Sequence, residues 1–251
     1  MSEDYCNPTP PCEDLRLEVV VTCVGFDDFL DVTLGINNSH VDTMIVVTSH
    51  SDVKTQKVAQ KHGAICVQTD LFKKNGRNFN KGAAINAGFS RFQYHGWRMH
   101  IDADILFPDS FRRILFNHTE LDKNCIYGAD RTDVHGMDEL KRVRRRRHEQ
   151  PQHAWSFFIE SFIDRALSPR YLDPLRGYVP IGYFQLWHAA SQKPYPFSLG
   201  SASHDDVMFA EQWARCHRRL LPHITVGHLV QQAPRLGENW DGFRRQPRLK
   251  K

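Results

Sequence analysis

The chain has 251 residues, of which 41% are hydrophobic and 25% charged, a composition typical of a folded globular protein and not of a disordered one. Its length suits one large domain or two small ones, and its formal net charge of +4 is too small to indicate an anionic partner by itself. Because no run approaches the ~18 apolar residues of a transmembrane helix and the N-terminus lacks the apolar segment of a signal peptide, we expect a cytoplasmic protein with no membrane contact.

Apolar runs alternate with helical patterns through the first half of the chain. Unbroken apolar runs of this kind, separated by helices, predict a parallel α/β sheet covered by helices, which binds its ligands beyond the carboxyl ends of the strands. The predicted strands are 17–26, 43–52, 64–70 and 96–108, and the predicted helices are 27–40, 53–63, 83–92 and 109–118.

The second half is less regular. We predict a strand with its exit loop at 124–134, helices at 154–163 and 204–216, a last strand at 221–232, and loops with short strands across 168–188. A basic segment at 138–153 reads as a solvated loop, since runs of charge usually are. The six cysteines are scattered without zinc-like spacing, which predicts reduced thiols.

Two carboxylates, Asp102 and Asp104, lie at the end of the fourth predicted strand in the run MHIDADILFP. On a strand, side chains two residues apart point the same way, so the pair would share one ion; if the strand ends between them, the second lies on the exit loop beside the first. Oxygen ligands of this kind suit Mg²⁺ or Mn²⁺ holding a diphosphate. The alternative is two solvated aspartates in a turn.

The runs VVVTCVGFDDFLDVTL, MIVVTSHSD, FNKGAAINAGFSRF and MHIDADILFP, in this order, resemble glycosyltransferases of the GT-A fold, in which a D-x-D motif holds the metal and the diphosphate of the sugar nucleotide. The resemblance implies a GT-A-type (Rossmann-like) α/β fold, with a mostly parallel sheet flanked by helices and an irregular acceptor-side C-terminal half. It places a flexible tail at 1–16, one domain at 17–240 and a loose basic tail at 241–251. The domain divides into a nucleotide-sugar-binding half (17–130) and an acceptor and catalytic half (131–240).

The resemblance also assigns the donor site. It implies a nucleotide-sugar donor, expected to be a UDP-sugar, and Mn²⁺ or Mg²⁺ bound by Asp102, Asp104 and His228, with His223 as the competing histidine. Thr22 and Val24 would lie beside the base, and Asp52 or Asp70 would contact the base or ribose. The residues expected around the diphosphate and sugar are Asn80, Lys81, Asn86, Asp102, Ala103 and Asp104.

The later motifs GYFQLWH, SHDDVMFAEQW and TVGHLV resemble the acceptor segment, the helix that supplies the catalytic base, and the strand that carries the metal-binding histidine. A single inverting displacement needs a base, and Asp205 and Asp206 are the candidates, with Asp205 slightly preferred; a retaining reaction is the alternative. The alternative is that both carboxylates only stabilise the N-terminus of their helix.

The basic run KRVRRRRH suggests an anionic acceptor, and a small transferase with such a run also resembles the phage-type enzymes that glycosylate hydroxymethylated bases in DNA. The residues expected to bind that acceptor are Phe184, Trp187, Trp240, Arg144, Arg145, Arg146 and Arg147, with further basic residues at Arg112, Arg113, Arg244, Arg245, Arg248, Lys250 and Lys251. The alternatives are a glycan or small-molecule hydroxyl as acceptor, an inactive nucleotide- or DNA-binding module, and a nucleotidyltransferase, which would usually carry a glycine-rich basic loop after the first strand. The sequence does not indicate an oligomeric state.

Overall fold

A computed structural model describes residues 13–76, 79–117, 119–149, 172–173, 175–196, 202, 204–231, 242 and 244–250. The strands are β1 (Leu17–Thr22), β2 (Thr43–Thr48), β3 (Ile65–Gln68), β4 (Trp97–Asp102), β5 (Ile105–Leu106), β6 (Ile126–His135), β7 (Leu172–Asp173), β8 (Gly177–Tyr178), β9 (Phe184–His188) and β10 (Arg218–Val230). The helices are α1 (Asp27–Asn37), α2 (Val53–Lys61), α3 (Lys81–Phe89), α4 (Phe111–Asn117), α5 (Gly136–Glu149) and α6 (Asp205–Ala210).

Eight strands form one mixed sheet in the order β3-β2-β1-β4-β9-β6-β10-β5, and β7 pairs with β8 in a small hairpin. The first four positions, β3 to β4, are parallel, as are β6 and β10, whereas β9 and β5 run antiparallel to their neighbours. The prediction of an α/β fold with a mostly parallel, helix-covered sheet is therefore confirmed.

The sheet curls, and its connectivity requires this. β5 begins three residues after β4 ends, yet it pairs with β10 at the opposite edge, four positions away. In a flat sheet four positions would span about 19 Å, whereas three residues reach at most about 11 Å. Curling brings the β10 edge back to the end of β4, so that β10 and the turn after β4 lie side by side.

Alternate residues of the central strands supply the two cores. Val19 and Val21 of β1 pack on one face with residues of α1, α2 and α4, while Val20 faces α3 on the other. A Cβ on Gly88 would lie 2.6 Å from Val20 Cγ1, so the glycine lets α3 approach the sheet closely. This close approach sets the position of Lys81 at the start of the same helix.

Two expectations about the second half need correction. The basic segment predicted as a loop forms most of α5, where Leu140 is buried against the sheet and Lys141 and Arg144 are exposed. The helix predicted over 204–216 is shorter, since α6 ends at Ala210. The helix predicted at 154–163 lies outside the described residues.

Residues 244–250 are not a loose tail but lie against α1. The Arg244 guanidinium binds both oxygens of Asp28, at 2.5 and 2.9 Å, and lies over the rings of Phe26 and Phe29. The Leu249 amide donates to Asp28 at 2.7 Å, and Arg248 pairs with Asp27 at 2.5 Å. The expectation of looseness failed because it considered the charge of these residues and not their partners on α1.

No helix in the described ranges is both long enough and apolar enough to cross a membrane. The described cysteines, Cys23, Cys66, Cys125 and Cys216, form no disulfide with one another.

Candidate active site

The candidate site lies where the parallel strands end. Thr22, the last residue of β1, is paired in register with Asp102, the last residue of β4. The loops that follow β1, β2 and β3 lie along the same edge, because the four strands are parallel. Val24 packs into the core beneath this edge, and Asp70 is exposed at the end of β3.

Asp102 and Asp104 point to different partners. β4 ends at Asp102, and Asp104 lies in the turn that leads to β5, which is the second of the two arrangements expected from the sequence. The Ala103 carbonyl accepts from the Thr33 hydroxyl at 2.8 Å, and the Asp104 carbonyl accepts from the Leu229 amide at 2.8 Å. The turn is therefore fixed to α1 on one side and to β10 on the other.

His228 meets Asp104 at this turn. Its Nε2 lies 3.4 Å from Asp104 Oδ2, and its Nδ1 lies 2.8 Å from Asp133 Oδ1. Burial favours the neutral imidazole, but the charge of Asp104 and the hydrogen bonds to both carboxylates outweigh burial and raise the pKa of His228 to about 9. Burial would raise the pKa of Asp104, yet the charge of His228 holds that pKa below its usual value.

His223, the competing histidine, is exposed on the same strand five residues earlier. At ~3.3 Å per residue this places it about 16 Å from His228 along the strand. The structure therefore brings His228, and not His223, to the carboxylates.

The donor set fits a divalent cation. Two ligand atoms each about 2.1 Å from one ion and at right angles to each other are about 3 Å apart, close to the 3.4 Å between His228 Nε2 and Asp104 Oδ2. Asp133 orients the imidazole through the other nitrogen, as carboxylates commonly do behind metal-binding histidines. Among the described residues, no three acidic, histidine or cysteine side chains already converge on one point, since Asp102 is turned towards Lys81.

Lys81 opens α3 and reaches Asp102. Asn80 caps the helix by accepting the Ala83 amide at 3.1 Å, and Lys81 Nζ lies 2.5 Å from Asp102 Oδ1. Burial favours the neutral amine, but the charge of Asp102, with smaller effects of Asp206 and Asp104, outweighs burial and raises the pKa of Lys81. Lys81 is thus a fixed positive charge beside the candidate metal ligands.

The two candidate bases differ in their contacts. Asp206 accepts the Gly182 amide at 2.7 Å with Oδ2 and the Val207 amide at 2.8 Å with Oδ1. Burial is the main cause that raises the pKa of Asp206, and the Gly182 amide and the Lys81 charge reduce the rise. Asp205 is only 2% exposed. Asp206 is therefore the member of the pair whose charge acts on the Lys81 and Asp102 group.

Two residues expected to contact the nucleotide also hold the scaffold. Asp52 caps α2 by accepting the Thr55 amide at 3.2 Å, and it accepts the Gly25 amide at 2.7 Å, which ties the loop after β1 to α2. Asn86 exchanges two hydrogen bonds with the backbone of Tyr195, at 2.7 and 2.8 Å. Both side chains fix loops around the site.

The prediction that Phe184 and Trp187 stack on the acceptor is wrong. Both residues are 0% exposed. Phe184 packs edge-on against Phe111. Trp187 packs against Phe209 in a separate apolar cluster that includes Ile85 of α3. The reason is that β9, which carries both residues, is an internal strand between β4 and β6.

Most of the predicted basic surface is either paired or not described. Trp240 and the side chains of Arg145, Arg146 and Arg147 lie outside the described residues. Three arginines proposed to extend the surface instead form ion pairs with aspartates: Arg112 with Asp42, Arg244 with Asp28 and Arg248 with Asp27.

Sequence reasoning missed Asp133, Arg131 and Tyr183. The Arg131 guanidinium lies 4.6 Å from the centre of the Tyr183 ring, and its Nε is buried with no hydrogen-bond partner in the described part of the chain. Its charge acts on Asp104, Asp133 and His228. The signal was the polar run DRTD inside a strand whose other residues are apolar.

No protein-family model and no curated protein matches the chain. Solved structures do. The mannosyl-3-phosphoglycerate synthase of Rubrobacter xylanophilus matches with a TM-score of 0.51 and 17% identity, over 88% of this chain and 68% of that one. The glucosyl-3-phosphoglycerate synthase of Mycobacterium tuberculosis, in complex with phosphoglyceric acid, matches with a TM-score of 0.50 and 14% identity, over 89% and 74% of the two chains.

The same M. tuberculosis enzyme in complex with Mn²⁺ and UDP-glucose matches with a TM-score of 0.50 and 14% identity, over 89% of this chain and 73% of that one. Likenesses at such low identity carry the fold and not the activity. This chain therefore has the GT-A-type fold of these sugar-transferring synthases, as the resemblance in its sequence implied.

Proposed function

We propose that this protein is a metal-dependent glycosyltransferase that moves a sugar from a nucleoside diphosphate sugar to a hydroxyl group. The observation that carries the proposal is that two pairs, Lys81 with Asp102 and His228 with Asp104, lie at the carboxyl edge of a GT-A-type sheet, with their aspartates two residues apart along the chain. These side chains come from three distant segments, and their chemistry suits a divalent cation beside a diphosphate.

Each residue has a role in donor binding. Asp102, Asp104 and His228 would hold Mn²⁺ or Mg²⁺, which when bound stabilises negative charge on the departing diphosphate. Lys81 binds the same diphosphate through its ammonium group, beside the free amides at the start of α3. Thr22 and Val24, with Asp52 or Asp70, remain the proposed surroundings of the nucleoside. UDP is the proposed nucleotide because the Mycobacterium tuberculosis neighbour holds UDP-glucose.

Asp206 is the proposed base. The acceptor oxygen attacks the anomeric carbon while its proton passes to the Asp206 carboxylate, and the bond from that carbon to the diphosphate breaks with its electron pair on the diphosphate. Burial raises the pKa of Asp206, which makes its carboxylate a stronger base. The amides of Gly182 and Val207 hold the carboxylate in place. This single displacement inverts the anomeric carbon.

The proposed acceptor is a small molecule with an anionic group. Arg131 carries this part of the proposal, because its guanidinium lies 4.6 Å from the centre of the Tyr183 ring and its Nε lacks a partner among the described residues. Planar guanidinium groups bind carboxylates and phosphates in a two-pronged fashion. Two neighbours with the same fold are phosphoglycerate-glycosylating synthases by name, and one holds phosphoglyceric acid.

Transfer to a hydroxymethylated base in DNA is the alternative acceptor. It finds less support, because two of the aromatic residues meant to stack on the base are in the core and three of the arginines are paired with aspartates. Among the described side chains expected to bind it, the exposed residues Arg113, Arg144, Arg245 and Lys250 remain.

Donor binding is tested by calorimetry with UDP in the presence and absence of Mn²⁺. Asp102→Asn and Asp104→Asn should each lower the Mn²⁺-dependent affinity for UDP by at least about tenfold, since each removes a charged ligand. Asp31→Asn is the matched control, because Asp31 also forms an ion pair with a lysine, at 2.6 Å from Lys61, but lies away from the site on α1. Undiminished binding in both site variants would overturn the metal assignment.

The acceptor is tested by incubating the protein with Mn²⁺, sugar nucleotides and separate acceptors: phosphoglycerate and other small phosphorylated hydroxy acids, simple glycans, plain DNA and hydroxymethylated DNA. Product masses identify the acceptor, and Arg131→Met should raise the KM for an anionic acceptor by a larger factor than it changes the affinity for UDP, since the charge of Arg131 also acts on Asp104 and His228. A mass increase on hydroxymethylated DNA alone would replace the small acceptor with DNA.

A further inference from the structure

We propose that Lys81 is an internal counter-ion that occupies Asp102 until a nucleoside diphosphate arrives, so that the metal ion and the nucleotide bind together and each strengthens the binding of the other. The inference rests on the proposed function and adds to it an order of events at the same site. In the absence of a nucleotide, the ion pair would make binding of the metal ion weak.

Lys81 and Asp102 form a partly buried ion pair. Lys81 Nζ lies 2.5 Å from Asp102 Oδ1, and the two side chains are 21% and 35% exposed. The pair is anchored at both ends, since Asn80 caps the helix that begins with Lys81, and Asp102 ends a strand paired on both sides. The ammonium thus holds the Asp102 oxygen that a cation would need, in a partly buried place where water screens charge poorly.

The charges around this ion pair disfavour binding of either ligand alone. Lys81 faces the negative charge of Asp102, Asp206 and Asp104. A divalent cation added alone would have to displace the ammonium and then lie beside it. A diphosphate added alone would bring its negative charge next to those three carboxylates. When both arrive, the cation takes Asp102 and the ammonium moves to the diphosphate, so each charge gains an opposite partner.

In the other half of the site, the group that faces Asp104 is the imidazole of His228, which is itself a candidate metal ligand. Asp104 and His228 are 3.4 Å apart, and Asp133 fixes the imidazole from behind. Lys81 is therefore a positioning residue whose effect on metal binding acts through Asp102. Because binding free energies are linked, the factor by which UDP raises the Mn²⁺ affinity must equal the factor by which Mn²⁺ raises the UDP affinity.

Mn²⁺ binding measured by electron paramagnetic resonance, with and without UDP, tests the inference. The wild type should bind Mn²⁺ at least about tenfold more tightly with UDP than without it, in the range of ordinary coupling factors. Lys81→Met should bind Mn²⁺ alone about tenfold more tightly than the wild type, and the coupling factor should fall by a similar amount. Lys81→Arg keeps the charge and should retain weak binding of Mn²⁺ alone.

Lys61→Met is the matched control, because Lys61 forms a pair of the same kind with Asp31 at 2.6 Å, and it should change neither affinity. Circular dichroism shows whether each variant is folded, and Lys81→Arg tests the inference by itself if Lys81→Met is not. The inference is overturned if Lys81→Met binds Mn²⁺ alone no better than the wild type while Mn²⁺ and UDP still bind together. It is also overturned if Lys81→Arg binds Mn²⁺ alone tightly. If the wild type shows no joint binding of Mn²⁺ and UDP, the proposed function fails and takes the inference with it.

Discussion

Replacing Arg244 by methionine should destabilise the fold by about 3 kcal/mol, because it breaks a buried ion pair that fastens the C-terminal segment to α1. Asp28 is 6% exposed and Arg244 15% exposed at the side chain. The guanidinium also donates to the Gly25 carbonyl at 2.8 Å and covers two phenylalanine rings. Arg244→Met leaves the Asp28 carboxylate buried, with the Leu249 amide as its remaining described hydrogen-bond donor and the half-exposed Arg248 guanidinium 4.0 Å away.

The size of the effect follows from burial. Removing one partner of a buried pair costs ~3–5 kcal/mol, and the lower end applies here because Asp28 keeps one hydrogen bond and methionine keeps part of the packing. For a chain of this length such a loss lowers Tm by about 6 to 12 °C. Arg248→Met is the control: its pair with Asp27 has a similar length, but Arg248 is 52% exposed, so its loss should cost at most about 1 kcal/mol.

The stability difference between the wild type and Arg244→Met should depend on pH in the way that the Asp28 carboxylate requires. Burial alone would raise the pKa of Asp28, but the hydrogen bonds from Arg244 and Leu249 and the charge of Arg244 hold it below its usual value. A lowered pKa in the folded state stabilises the protein above the unfolded pKa of about 3.9, and this stabilisation is lost as the pH falls through the folded pKa. Denaturant unfolding of both variants at pH 7 and at pH 3 should show the gap from wild type shrinking in acid for Arg244→Met. Equal, small losses from both variants at pH 7 would refute the reasoning.

Two further changes act on the active site. Asp133→Asn weakens the orientation of His228 and should lower the Mn²⁺ affinity in the presence of UDP about tenfold. Calorimetry measures this affinity, with Asp31→Asn as the control. An unchanged affinity would show that Asp133 does not position the imidazole. Gly182→Ala would place a Cβ 2.9 Å from Asp206 Cβ and 3.1 Å from its Oδ2, which would displace the carboxylate. We therefore expect turnover to fall at least about tenfold while UDP binding is kept. Turnover equal to that of the wild type would argue against Asp206 as the base.

The sequence predicted the parallel half of the fold, and with it the placement of Lys81 and Asp102 at the carboxyl edge of the sheet, because both depend on local patterns. Unbroken apolar strands with helices between them determine which ends of the strands meet. Lys81 is the first residue of α3, and Asp102 is the last residue of β4. Asp104 was predicted beside Asp102, but its pairing with His228 depends on β5 joining β10 across a curled sheet. That contact joins residues more than a hundred positions apart, which no local pattern reports.

The acceptor side was predicted less well for a related reason. The segment GYFQLWH was expected among loops and short strands, whereas it forms β9 in the middle of the sheet, and this placement buries Phe184 and Trp187 completely. A strand's place in the sheet order depends on which partners it finds, and an aromatic residue looks the same in sequence whether it faces a ligand or the core. Likewise, the charge of Arg244 suggested a free surface until its partner Asp28 was known.

The carboxylates of Glu18, Asp28, Asp102 and Asp104 fall into two groups, and the difference between them supports the proposed site. Glu18 accepts three backbone hydrogen bonds at 2.9 to 3.1 Å, and Asp28 has partners on both oxygens, so each is fully satisfied and structural. Asp102 has one described side-chain bond, to Lys81, and remains 35% exposed, while Asp104 is 3.4 Å from His228. Perturbed pKa values occur in both groups and do not separate them. Ligands bind beyond the carboxyl ends of the strands in sheets of this kind, so carboxylates with incomplete partners at that edge support the proposed metal and donor site.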